Sequence, residues 1–418
     1  MIRKQIQALL LGVLLGAVLP ASISGAVDPP ERIYSKRIRI LSPERYRELR
    51  DQWKAYTGSH PKDAVGWTEL AKAARYAEEP CEVYLDYAKK AVKLDPNYAD
   101  ARLVLGSNNW CMYCPEAKED PADAIRELEK ALALDPRSGE PHYSLWVMKL
   151  FQGKRDEAAA HLEALVRGGH IPEFLLDMAY NLLVAVEENA IILTNGDNDT
   201  YPPLALQAAR GLRKDAAIVN LSLLNTAWYR KELREGPHAV PLPVIDEDAK
   251  GPQVGAALMG LVENLGRDGW KRPLYAAVTV NRGNLPIPNR LSLEGLVYRM
   301  LPDQGEEAEI DIDALKENLD RSYRLDSATS LGLDWEHYSG LANLVVNYAA
   351  VESRLAGALV EKGDLEGARA RIAHALRICE FHKKNGFARS LGRTLAETWK
   401  KWDPGSSAPA VWIEKFEE

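Results

Sequence analysis

The chain has only 4 cysteines in 418 residues, Cys81, Cys111, Cys114 and Cys379, and no second closely spaced pair completes a zinc site beside Cys111 and Cys114. No histidine follows that pair, which excludes covalent haem attachment. Excess positive charge is also missing. Lys and Arg number 53 against 60 Asp and Glu, a formal net charge of -7, and no basic stripe supports nucleic-acid binding. Beyond the N-terminus no apolar run approaches the roughly twenty residues that a spanning helix needs. Catalytic signatures are absent as well: there is no G-x-S-x-G elbow, P-loop, dinucleotide glycine fingerprint or H-E-x-x-H, and the 8 histidines are scattered. No nucleophile with an adjacent base can be named.

What is present begins with an export signal. "MIRKQIQALLLGVLLGAVLPASISGAVDPP" combines basic Arg3 and Lys4, an apolar run from Ala8 to Leu19, a helix-breaking Pro20, and small Ser24 and Ala26 at cleavage spacing. Residues 1–26 are expected to be a secretory signal peptide, because the apolar run of about a dozen residues is too short for an anchor. The expected location is the bacterial periplasm or the exterior, with no membrane span in the mature chain. In that compartment cysteines can pair.

Two segments repeat each other's endings, "AKKAVKLDPNYADA" (Ala88 to Ala101) and "LEKALALDPRSGEP" (Leu128 to Pro141), with Pro96 and Pro136 forty residues apart. Proline cannot continue a helix and drives the preceding residue towards extended geometry, so each "LDP" closes a helical hairpin. Trp67, Leu70, Ala71, Ala91 and Pro96 in one unit, then Leu105, Gly106, Ala124, Ala131 and Pro136 in the next, resemble the tetratricopeptide pattern. Leu145, Trp146, "GKRDEA" and Leu165 make a third unit. Three stacked hairpins over residues 63–172 form a concave surface of the kind that holds a peptide or protein partner. The insertion "NNWCMYCPEAKEDPADA" falls between the helices of the second unit, beside the turn of the first where Cys81 lies. That placement predicts a bridge from Cys81 to Cys111 or Cys114. Ahead of the stack, residues 27–62 predict a short strand, "RIRIL", and a charged amphipathic helix, "PERYRELRDQWKAYTG".

From Glu173 the pattern changes. "AIILT" (Ala190 to Thr194), "AAIVNLSLL" (Ala216 to Leu224) and "PLYAAVTV" (Pro273 to Val280) are apolar on both parities, as in strands buried on both faces of a parallel sheet. The helix "PPLALQAARGLRKD" between the first two makes a strand-helix-strand unit. Residues 173–335 are therefore expected to form a small three-layer α/β domain with a mostly parallel sheet. Ligands gather beyond the carboxyl ends of such strands. There stand Asn195, Asp197, Asn198, Asp199 and Thr200 of "NGDNDTYP", with Ser222, Asn225 and Trp228 after the second strand. These are the candidate ligand-binding residues.

Asp197 and Asp199 are two apart, so an extended chain points both side chains the same way. Carboxylates about 6 Å apart repel by roughly 3 kcal/mol at an effective dielectric near 20, and something must offset that. One candidate is a hard divalent cation, the only cofactor the sequence suggests, with Asp197 and Asp199 as its metal ligands. The other is a helix start, where Asp199 or Thr200 caps and Pro202 sits in the first turn. A calcium loop is disfavoured, because Thr200 stands where the invariant Gly should be and Leu206 where the bidentate Glu should be. Trp228 and Tyr229 can either stack on a sugar or pack in a core.

"NGDNDTYP", "VNLSLLNTAWY" and "EGLVYR" (Glu294 to Arg299), in that order, resemble the extramembrane tail of the protein O-mannosyltransferase-like membrane proteins, over roughly Glu173 to Pro302. The resemblance implies a domain accompanied by helical repeats. It does not imply mannosyl transfer, which is expected of the family's multi-spanning membrane half. Glu294 and Tyr298, four apart on an expected helix, can reach the same crevice.

In the last segment, 336–418, "YAAVESRLAGALVEKGDLEGARARIAHALRI" repeats the hairpin logic, with Leu355, Ala356, Gly363, Ala368 and Ala375 at repeat spacing. An acidic run, "GEEAEIDIDALKENLD", reads as a solvated face. The tail "DPGSSAPAVWIEKFEE" reads as a loop docked by Trp412. The whole is expected to be helical hairpins flanking an α/β domain: an exported binding or scaffold protein for a peptide or glycoconjugate. The alternative is a metal-dependent enzyme acting on a sugar or phosphate substrate at Asp197 and Asp199.

Overall fold

Polar caps and prolines divide the first half of the chain into helices. In the computed structural model, which describes residues 28–245, 252–302, 310–330 and 338–417, these are α1 (Pro43–Ser59), α2 (Ala64–Tyr76), α3 (Cys81–Leu94), α4 (Ala99–Asn108), α5 (Ala122–Leu134), α6 (Glu140–Phe151), α7 (Arg155–Arg167) and α8 (Glu173–Val184). The expected signal peptide, residues 1–26, lies outside the described residues, as does the part of the acidic run at 303–309. Ser42 and Asp63 open α1 and α2 by accepting from the backbone N–H groups of Arg45 and Val65. Both "LDP" motifs end helices, α3 at Leu94 and α5 at Leu134. The hairpins α2/α3, α4/α5 and α6/α7 are the three expected repeats. Gly106 shows why small residues recur in them: a Cβ there would stand 2.7 Å from the Leu128 side chain and 2.9 Å from the Ala124 carbonyl.

The insertion after α4 returns to the start of α3, and a disulfide joins Cys81 to Cys114, with Cα atoms 5.4 Å apart. Cys111 is free and half-buried. Cys379 is free and buried, its thiol pushed up to about 12 by desolvation. The expected strand "RIRIL" is absent. Residues 28–41 run along the stack as a strap with a turn at Lys36–Ile38, because their polar backbone finds side chains of the helices rather than a partner strand.

The middle segment supplies β1 (Ile191–Thr194), α9 (Asp197–Arg210), β2 (Ala217–Asn220), α10 (Ala227–Glu235), α11 (Val254–Arg267), β3 (Leu274–Ala277), β4 (Leu291–Leu293) and β5 (Val297–Met300). The sheet order is β2-β1-β3-β5-β4. β1 is parallel to β2 and β3, whereas β5 is antiparallel to both β3 and β4. The three parallel strands are those expected from their all-apolar runs. The helix expected at Glu294–Arg299 is instead the β4–β5 hairpin. Gly295 turns it with φ +138°, and a Cβ there would fall 2.0 Å from the Tyr323 hydroxyl.

The C-terminal part is α12 (Ile312–Glu317), α13 (Asp326–Ser330), α14 (Ser339–Glu361), α15 (Leu365–Phe381), α16 (Gly386–Trp402) and α17 (Ala408–Glu417). The tail is thus a helix rather than a loop. Its docking residue is Phe416, 4% exposed and seated over Gly392, whose missing side chain leaves the space, while Trp412 is only half-buried. One continuous buried cluster runs from Trp110 to Phe416, so repeats and sheet share a core. Its seams are aromatic: Trp228 meets Phe151 edge-on at 5.6 Å, and Tyr201 meets Tyr143 and Trp146 at 4.9 and 5.2 Å.

Candidate functional site

"NGDNDTYP" starts a helix earlier than its prolines suggest. Asp197 opens α9, so Asp197 and Asp199 occupy the first and third helical positions and not alternate positions of an extended chain. Pro202 and Pro203 lie inside α9 and have no N–H to give the carbonyls of Asn198 and Asp199. Gly211, at φ +66°, ends the helix.

The two carboxylates serve different partners. Asp199, 6% exposed, turns back on its own loop and accepts from the N–H groups of Asn195 and Gly196, both at 2.8 Å, and from the Thr279 hydroxyl. At the third helical position it reaches back to Gly196, the N-cap residue, as in a capping box. Burial raises its pKa above the ordinary value, opposed by the Thr279 hydroxyl and those N–H groups. Asp197 points outward and pairs with Arg37 of the strap at 3.1 Å. The single cation cradle expected of an extended Asp-Asn-Asp is therefore not the arrangement found.

The other candidates divide in the same way. Thr200 is buried and joins Thr194 at 2.7 Å and Asn220 at 2.9 Å, tying the ends of β1 and β2 to α9. Asn198 donates to the Arg37 carbonyl at 3.1 Å. Asn195 is exposed, with its backbone N–H on Asp199. Ser222 and Asn225 are exposed and bond each other's vicinity: Asn225 donates to the Ser222 carbonyl at 3.3 Å and accepts from Val254 N at 3.1 Å. Trp228 packs between Phe151 and Trp110, and Tyr229 is buried and accepts from Asn220 N, so both rings belong to the core and its seam. Glu294 faces Tyr275, Arg299 and Glu187 instead of this crevice, and desolvation pushes its carboxyl up to about 7.

What the structure brings to Asp197 is the concave face of the repeats. Asp197 and Tyr201 join α2, α4 and α6 in lining a cavity of about 420 Å³ that the strap closes. Ile33, 3% exposed, donates its N–H to buried Glu69 at 2.7 Å. Arg37 lies 4.1 Å from the Tyr143 ring centroid, between Glu140 and Asp197. Burial opposes its charge, but the two carboxylates more than offset this and raise its pKa. A second cavity, of about 230 Å³, opens on the other side of Arg37 beside His170, Asn198 and Leu341. Sequence reasoning missed the strap, Glu69, Glu140 and Tyr143. The only signal for them was the concave surface itself, since nothing local relates residue 37 to residue 197.

Residues 175–250 match the family described as TMEM260-associated domain 2. This stretch holds "NGDNDTYP" and "VNLSLLNTAWY" and stops short of the β4–β5 hairpin. Among solved structures the crystal structure of MamA is similar at 18% identity and a TM-score of 0.28, over 43% of this chain and 96% of that one. The repeat fold stands on the helix pairs described above, not on that likeness. No curated protein matches the sequence.

Proposed function

We propose that this protein is an interaction scaffold whose concave groove, floored by the start of α9, holds a polypeptide segment carrying an aliphatic residue and, four positions on across a turn, an arginine. The observation that carries the reading is the strap. Its residues run along the groove and turn at Lys36–Ile38, with one backbone N–H on a buried carboxylate and one guanidinium between two carboxylates and a tyrosine ring. This is how a groove reads a peptide, with main-chain bonds for affinity and side-chain pockets for choice. A glycoconjugate is less well served, because Trp228 spends its ring on the seam. The matched segment contributes the groove floor, so binding here needs none of the transfer chemistry expected of the O-mannosyltransferase-like membrane proteins. The Cys81–Cys114 bridge supports an oxidising compartment, in keeping with export to the periplasm or exterior.

The test frees the groove in the full chain with Ile33→Asp and Arg37→Ala and adds a labelled peptide of the native sequence 28–41. Fluorescence anisotropy should show saturable binding, weakened by Asp197→Asn with Glu140→Gln. A folded, strap-released protein that fails to bind the peptide would refute the reading.

A further inference from the structure

At the opposite end of the parallel strands from Asp197, a cleft of about 500 Å³ opens between the turns that enter β1, β2 and β3 and the loop after α10. Lys214, Lys271, Arg272 and His238 line it, and among the described residues the single carboxylate in the lining is Asp215. That carboxylate is already spent. It takes the Arg213 guanidinium through both oxygens, at 3.0 and 2.8 Å, and the Asn189 N–H at 2.8 Å. Arg272 is fixed by two carbonyls, of Asn189 at 2.9 Å and His238 at 2.6 Å, and no carboxylate pairs with it among the described residues. Its pKa is lowered by burial, whereas Arg37, Arg213 and Arg371, which face carboxylates, are raised. Lys214 has no carboxylate partner among the described residues, and Lys271 meets only exposed Asp268 at 3.0 Å.

The backbone gives a second, independent sign. Asn189, Arg213, Ala239 and Trp270 hold φ of 58°, 47°, 42° and 53°, and each lies in one of the segments framing this cleft. Left-handed geometry costs a non-glycine residue about 1 kcal/mol or more and concentrates where a fold positions groups for a ligand. A half-buried guanidinium held without a counter-ion is costly in the same way, and an anion offsets that cost.

We propose that this cleft is an oxyanion site that takes the phosphoryl group of a phosphate monoester. Arg272 supplies a fixed planar donor, Lys214 and Lys271 supply mobile charge at the rim, and His238, whose charged form burial disfavours, supplies an imidazole N–H. The volume leaves room for the body of a small phosphorylated molecule beside the phosphoryl group.

Calorimetric titration of the full chain with inorganic phosphate, against sodium chloride of matched ionic strength, tests the site. Saturable binding is expected, and Lys214→Gln with Lys271→Gln should raise the half-saturating concentration about tenfold or more. Lys89→Gln with Lys130→Gln, an equal charge change at exposed positions far from the cleft in sequence, should leave it unchanged. Because the rim lysines are exposed, the test does not depend on whether Arg272→Gln folds. Co-flotation with phosphatidic acid vesicles that requires Lys214 and Lys271 would place the phosphoryl group on a lipid. Phosphate binding without co-flotation would place it on a soluble molecule. Absence of saturable binding, or equal weakening by the control pair, overturns the proposal.

Discussion

Asp199→Ala should destabilise the protein several times more than Asp197→Ala, although the two carboxylates stand in one motif. Asp199 loses two backbone donors at 2.8 Å and the Thr279 hydroxyl. Each buried polar group left without its partner costs roughly 1–3 kcal/mol. Asn195 is exposed, so water replaces one of the three bonds. Removal of a desolvated charge returns a little, for a net loss of about 2–4 kcal/mol. Asp197 gives up one partly exposed ion pair, at most about 1 kcal/mol, and a favourable contact with the helix dipole of about 0.3–1 kcal/mol. Urea unfolding followed by tryptophan fluorescence, with and without millimolar Mg²⁺, measures both. Equal losses, or a Mg²⁺-dependent stabilisation that either substitution abolishes, would refute this division of roles and restore the shared cation.

Glu294 sets a pH dependence. Its carboxyl is raised from 4.5 to about 7, so its stabilising contribution is complete below about 4.5 and is lost as pH rises through 7, a change of roughly 3 kcal/mol. Glu294→Gln should remove that loss, and unfolding curves at pH 5 and 8 that keep the same difference in both proteins would count against it. Cys81→Ser with Cys114→Ser opens a loop of 33 residues and should cost about 3–4 kcal/mol on chain-entropy grounds, read as a lower urea midpoint. Reductant should then shift the wild type but not the variant. Gly392→Ala should lower the melting temperature by displacing Phe416, since a Cβ there would fall 2.3 Å from its ring; a Gly392→Ala, Phe416→Ala double variant losing no more than Phe416→Ala alone would check that the two share one contact.

Most of the helices were legible because their signals are local. "LDP" endings, capping residues and small-residue spacing each act within a few positions, and a bridge from Cys81 to Cys111 or Cys114 followed from stacking the units they define, the structure choosing Cys114. The parallel strands were legible from their unbroken apolar runs. The β4–β5 hairpin was misread because "EGLVYR" is short and its antiparallel pairing depends on β3 lying alongside. The tail was misread because α17 is ordered by Phe416 meeting a glycine in the preceding helix, a contact with no trace in local periodicity.

For "AIILTNGDNDTYP" the division is sharp. The sequence by itself determined that a buried strand ends there in a polar turn leading to a helix, since apolar run, glycine and capping residues need no distant partner. Which carboxylate is buried on its own loop and which faces the groove was decided only in three dimensions. Asp199 is committed by Thr279, and Asp197 is drawn out by Arg37 of a strap 160 residues away. Opposite charges meet across such a distance only once the repeats have stacked and the sheet has packed against them, so their pairing belongs to the tertiary fold.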